Sequence, residues 1–256
     1  MGEFIAVNED EESQAEATWL QPRRVRIGRG WGWLYGGFGL FNRGMGVSVG
    51  ICLFAFVLSI ASNMVPGGSL LYQLFGMVFM AGSLAVAHRA HTAGYISFND
   101  YFEGFRQQMG PLVLAAVINM GLIFGVVLVV MLAALASIGL DNLLHFNEVM
   151  AEDPTSGLQI LLWVLIAIAL LIPVMMAAMF APALVFFHQV APWQAMTLSF
   201  HACLRNFWVL SWWGILAALM MLFGFLMLLI GLLVVLPVMW YSTYLAYRDI
   251  FLYDEV

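Results

Sequence analysis

The chain has 256 residues, 63% of them hydrophobic and 9% charged, with a mean hydropathy of +0.94 and a formal net charge of −6. A soluble domain is about 25% charged, and one of this size has no means of hiding so much apolar surface, so a water-soluble fold is excluded. Lysine is absent, and the nine arginines form no basic stripe able to neutralise a run of phosphates, which excludes nucleic acid as a partner.

Residues 1–30 read as a cytoplasmic tail. An acidic run (Glu9, Asp10, Glu11, Glu12, Glu16) precedes Arg23, Arg24, Arg26 and Arg29, a basic juxtamembrane segment able to hold an anionic leaflet. The order of a signal peptide, basic residues and then an apolar core, is missing.

Residues 31–248 read as the membrane domain. About 20 apolar residues cross roughly 30 Å of hydrocarbon as a helix. Stretches of that length fall at about 45–65 and 69–87, parted by the turn chemistry of Pro66-Gly67-Gly68. Others lie at about 111–137 and at 158–187, where Pro173 and Pro182 predict a tilt or kink. The apolar stretch 207–247 would extend about 60 Å as one helix, so it divides into spans at about 207–225 and 229–247. The turn is expected near 226–228, between Gly224 and Gly231. Residues 249–256 form a C-terminal cytoplasmic tail. The expected fold is all-α and polytopic: six transmembrane helices as three hairpins, each preceded by a short interfacial amphipathic helix.

Orientation follows from the tendency of arginine to stay on the cytoplasmic side. With six spans, all nine arginines fall on the side of the two termini. The opposite side has none, and its long loop, 139–157, carries Asp141, Glu148, Glu152 and Asp153. Both termini are therefore expected in the cytoplasm.

A threefold repeat is suggested by an aromatic residue five positions before an arginine: Phe38 and Arg43, Tyr101 and Arg106, Phe200 and Arg205. An apolar span follows each arginine. Phe98, Phe102, Phe105 and Met109 share one helical face, as do Trp193, Met196, Phe200, Cys203 and Phe207. The first segment (Trp31, Trp33, Leu34, Phe38, Phe41) is richer in glycine. Ser97 with Asp100 resembles a capping box. Arg43, Arg106 and Arg205 are the lipid-headgroup candidates, and the aromatic stripes are expected at headgroup level.

No Asp, Glu, Lys, Arg or His falls inside a span as drawn, which weakens a coupled-transporter reading. Asn119, about 12 Å into the third span, is expected to hydrogen-bond between helices, and Gly46, Gly50, Gly121 and Gly125 to let helices pack closely or form a dimer seam. His88, His91, His188 and His201 gather on the arginine side. His88 and His91 have a metal-compatible spacing, and Cys203 lies near His201, but capping of span ends is the reading preferred over metal binding. No cofactor is expected. No serine–histidine or carboxylate pair suits a hydrolase, so no catalytic residue is expected either.

The phrases Ala181-Pro182-Ala183-Leu184-Val185, Ala191-Pro192-Trp193-Gln194-Ala195-Met196, Ser199-Phe200, Cys203-Leu204-Arg205-Asn206 and Tyr244-Leu245-Ala246-Tyr247-Arg248-Asp249-Ile250-Phe251 resemble a family of uncharacterised bacterial six-span inner-membrane proteins. The first half matches through Gly32-Trp33, Gly37-Phe38 and Phe102-Glu103-Gly104-Phe105-Arg106. The pattern is more loosely similar to membrane domains attached to bacterial glycerophosphodiester phosphodiesterases, which carry their catalysis in a separate soluble domain that is not expected here. Such relatives often carry acidic residues where this chain has His188-Gln189. The resemblance implies a bacterial inner membrane and six spans, and no activity. Two functional readings stay open: a non-catalytic module that organises lipids or a membrane protein complex, including a homo-oligomer, and a permease or lipid-moving protein.

Overall fold

The computed structural model describes residues 21–139, 154–227 and 231–252. The acidic run at 9–16, the acidic residues of the 139–157 loop, part of the 226–228 turn and residues 253–256 lie outside them. Among the described residues every regular element is helical. Helix α1 is Arg29–Asn42, α2 Met45–Asn63, α3 Gly68–Leu74 and α4 Gly76–Thr92. A 3-10 turn, Phe98–Phe102, leads into α5, Glu103–Gln107. The chain continues with α6 Met109–Ile138, α7 Pro154–Met179, α8 Ala181–His188, α9 Pro192–Arg205, α10 Phe207–Leu226 and α11 Leu232–Phe251.

Four stretches are long and apolar enough to cross a membrane: Met45–Asn63, Met109–Ser137, Leu158–His188 and Phe207–Leu226. Helices α3 and α4 make a fifth if the bent pair is one broken span. This is an all-α membrane protein, and its count of apolar spans differs from the expected six for two physical reasons. The expected span 69–87 is not one straight helix, because the chain breaks at Phe75 and α3 meets α4 at 46°. The expected span 229–247 lies in α11, where Tyr241, Ser242, Thr243 and Tyr244 interrupt the apolar run; these four are buried in protein. A helix enclosed by other helices has no need of a continuously apolar surface.

The core sits at one end of the molecule. Helix α11 packs on α1, α2, α4 and α10, while α4 packs on the 3-10 turn, α5, α6 and α8. Trp33, Phe41, Leu84, Phe180, Leu184 and Phe251 are almost fully buried there. These residues occupy the helix halves nearest the arginines. Towards the other end, Phe56 and Ile60 on α2, Val129 and Leu132 on α6, Leu161 and Leu165 on α7, and Phe223 on α10 are all exposed. Such a band is the surface a bilayer covers.

Turn chemistry acts as the sequence predicts at Pro66-Gly67-Gly68, where Gly67 has φ +77° and the Gly68 N–H donates to Val65 at 2.9 Å. Close helix packing falls elsewhere than expected. Around Gly46, Gly50, Gly121 and Gly125 an added Cβ would meet nothing within 4 Å among the described residues, so these four do not seat one helix on another within the chain. Close approach occurs instead at Gly82, whose added Cβ would lie 1.9 Å from the Tyr101 carbonyl oxygen. At Gly104 it would lie 2.4 Å from that of Val78.

The boundaries at the two ends also move. Helix α11 runs through Asp249, Ile250 and Phe251, all buried, so no solvated tail begins at 249. At the other end, the Arg23 N–H donates to the Ile250 carbonyl at 2.9 Å, which lays the basic segment along the domain.

Candidate functional site

The arginine-bearing end is organised by one carboxylate that the sequence placed in a tail. Asp249 is 2% exposed and receives both Arg23 and Arg29. Arg29 Nε donates to Oδ2 at 2.7 Å, and the buried Trp33 indole N–H donates to the same oxygen at 3.0 Å. Burial pushes the Asp249 carboxyl up, but the hydrogen bonds from Arg29, Trp33 and Arg23 outweigh it and hold the pKa below its ordinary value. A buried carboxylate satisfied in this way is paired and ionised.

Asn206, 2% exposed, fixes the same segment from the other side. Its Oδ1 accepts from the Val25 N–H at 2.8 Å, and its Nδ2 donates to the Arg23 carbonyl at 2.9 Å. Residues 21–26 belong to no helix, and in an extended chain successive side chains alternate in direction. Arg23 and Val25 therefore turn inward, while Arg24 and Arg26 are exposed. Arg24 and Arg26 line a cavity of about 570 Å³ together with Arg205, Asn206 and Trp208. Among the described residues no carboxylate pairs with Arg24, Arg26 or Arg205.

The other two headgroup candidates are engaged by the protein. Arg43 donates to the Ala90 carbonyl at 2.7 Å, satisfying the C-terminal end of α4. Arg106 lies 3.3 Å from Glu103 and donates to Asn99 Oδ1 at 2.9 Å. Of the three, only Arg205 faces the cavity. The aromatic stripe before α6 packs inward as well: Phe102 meets Phe54, and Phe105 meets Phe75 and Phe79, with ring centroids 5.1–5.7 Å apart. Phe98 and Met109 stay exposed. Ser97 and Asp100 form the capping box the sequence suggested, and Asp100 pairs with Arg89 at 3.1 Å.

Each of the four histidines is tied to a neighbour. His88 Nδ1 and Tyr244 Oη are 2.8 Å apart, and His188 Nε2 and Tyr247 Oη 2.5 Å. Arg248 donates to His91 Nε2, and His201 Nδ1 lies 2.8 Å from the Thr197 carbonyl. Cys203 is buried, its thiol is pushed up to about 12 by burial, and it donates to the Met176 carbonyl at 3.4 Å. Among the described residues no three histidine, cysteine or acidic side chains converge as a metal site would need. Tyr244, Tyr247, Arg248 and Asp249 each reach a different partner, so the phrase Tyr244–Phe251 is one set of polar anchors spaced along α11.

A second cavity, about 610 Å³, lies between α3–α4, α6 and the α7–α8 break. Gln73, Gly76, Met77, Asn119, Phe124 and Pro182 are among its lining residues. Among the described residues Asn119 Oδ1 is buried with no hydrogen-bond partner.

Comparison of the chain with protein-family models, with curated proteins and with solved structures gives no match in any of the three.

Proposed function

We propose that this chain is a non-catalytic, multi-pass protein of the bacterial inner membrane that organises anionic lipids, alone or within a membrane protein complex. In this reading it has six spans, the sixth being the 229–247 stretch that α11 contains, arranged as three hairpins that each follow an aromatic–arginine segment. Both termini and the arginine end lie in the cytoplasm. The carrying observation is the division of charge at that end: Asp249 takes up Arg23 and Arg29, whereas Arg24, Arg26 and Arg205 face outward with no acidic partner among the described residues. Such cations at headgroup level attract an anionic leaflet. The bacterial inner membrane rests on the phrases that resemble the six-span family, and the orientation on nine arginines falling on one side.

Native mass spectrometry of the protein released from nanodiscs of mixed zwitterionic and anionic lipid tests the reading. Selective retention of anionic lipid is expected. Equal retention of zwitterionic lipid would refute it, and a reporter fused after Val256 that became active in the periplasm would refute the orientation.

One observation favours a permease as the second reading. Two broken helices border the 610 Å³ cavity, and Asn119, whose oxygen has no partner among the described residues, is in its lining; discontinuous helices commonly build transporter sites. A small molecule retained by the chain and lost in Asn119→Leu would favour this reading over the first.

A further inference from the structure

We propose that the cavity lined by Arg24, Arg26 and Arg205 is a specific site for a phosphomonoester, presented by a membrane lipid. This rests on the reading that the arginine end faces lipid headgroups, and it names the headgroup. Three arginines line one cavity of about 570 Å³ and have no carboxylate partner among the described residues. A phosphodiester headgroup brings one negative charge. A phosphomonoester brings about −1.5 to −2 at neutral pH and three acceptor oxygens, which better matches three forked donors.

The position of the cations is imposed by the fold. Asn206 holds both the Arg23 carbonyl and the Val25 N–H, so Arg24 and Arg26 project from a chain pinned on either side. Asn206 is also the residue that joins α9 to α10, and it lines the same cavity. The source of the phosphate follows from the rim. Ile27, Leu204, Phe207 and Trp208 are all exposed beside the arginines, with Trp208 at 70%. Apolar and indole side chains next to cations mark the depth at which headgroups meet acyl chains. A soluble phosphomonoester would make no use of that rim.

The test is binding of the full-length protein to nanodiscs doped with phosphatidate, compared with phosphatidylglycerol at equal mole fraction. Phosphatidate is expected to be retained at least tenfold more tightly. Arg24→Gln, Arg26→Gln and Arg205→Gln should each weaken it by roughly tenfold, the worth of one charge-assisted hydrogen bond. The triple variant should unfold as the parent does, because none of the three side chains makes a polar contact among the described residues. Equal retention of the two lipids, lost in the triple variant, would overturn the phosphomonoester assignment while leaving the anionic-lipid reading standing. Equal retention of zwitterionic lipid would overturn both. Glycerol 3-phosphate binding the detergent-solubilised protein as tightly as phosphatidate would overturn the lipid source. The acidic run at 9–16 is the chain's own rival anion. Phosphatidate binding that appeared only after Glu9, Asp10, Glu11, Glu12 and Glu16 were neutralised would make that run the occupant and overturn the assignment.

Discussion

Replacing Asp249 by asparagine isolates the carboxylate that holds the basic segment to the domain. Three donors lose their charge partner: Arg23, Arg29 and the Trp33 indole. The two guanidinium groups are 28% and 35% exposed, so water and salt recover much of what they lose, and each contributes at most about 1 kcal/mol. Trp33 is 1% exposed and has no such recourse; its weakened bond costs about 1 kcal/mol more. The sum is about 2–3 kcal/mol, falling on the local opening of residues 21–29. Opening should then rise on the order of 30- to 150-fold. Trypsin reads this directly, because it cuts after arginine and the chain has no lysine to confuse the map. Where reclosing outruns cleavage, the rate follows the open population. Asp249→Asn should be cut after Arg24 and Arg26 at least tenfold faster than the parent in mild detergent. Unchanged cleavage at those two sites would refute the assignment of Asp249 as the anchor.

Asn206→Ala removes the partners of the Val25 N–H and the Arg23 carbonyl; it should cost about 1–3 kcal/mol and also speed cleavage. Combined with Asp249→Asn it should add less than the two single effects, because both release one segment; strict additivity would count against the shared clamp. Gly82→Ala places a Cβ 1.9 Å from the Tyr101 carbonyl oxygen and should destabilise the protein by about 3 kcal/mol or more, whereas Gly125→Ala should stay within about 0.5 kcal/mol in a thermal melt. The Asp249 carboxyl has a folded pKa below its unfolded value of 3.8, so its contribution is complete above that value and is lost as pH falls through the lower, folded one. Tryptic fragments after acid pulses should therefore show the segment retained at pH 5 and released only below about 4.

The helical class and the placing of the apolar stretches were legible because a 20-residue apolar run carries its own signal. What the sequence obscured were the sites whose meaning depends on contacts distant in the chain. Asp249 follows the last apolar stretch and reads as the start of a tail; only the return of residues 23–29 alongside α11 shows it to be buried. One local signal was available: the pattern Tyr244, Tyr247, Arg248, Asp249 puts polar residues on helical spacing, as an enclosed helix would show. Gly46 and Gly50 satisfied a familiar small-residue spacing, yet spacing does not reveal which face meets a partner, and the backbones approach at Gly82 and Gly104 instead. Arg43, Arg106 and Arg205 looked equivalent by their distance from an aromatic residue. Their surroundings part them, since Arg43 is drawn to the carbonyls ending α4, Arg106 to Glu103 and Asn99, and Arg205 to the cavity.

The concentration of specific contacts at one end has a physical cause. In hydrocarbon, lipid tails solvate an apolar helix as well as another helix does, so the hydrophobic effect gives little drive to associate there. The exposed halves of α2, α6, α7 and α10 accordingly need no partner. At the arginine end water is close, burial of Trp33, Tyr241 and Phe251 again releases free energy, and ion pairs and side-chain hydrogen bonds add direction. Ser48 with Tyr241, His88 with Tyr244 and His188 with Tyr247 succeed one another along α11 at three-residue steps, and Asp249 with Arg29 follows two residues later on another face. Each joins α11 to a different element, so these contacts together set the register of the bundle. A disturbance of the basic segment should then spread first along α11 and reach the apolar ends last. Hydrogen exchange in Asp249→Asn measures that order: protection should fall in residues 21–29 and 244–251 before it falls in α2 or α6. Loss beginning in the apolar halves would show that the bundle is held together from the other end.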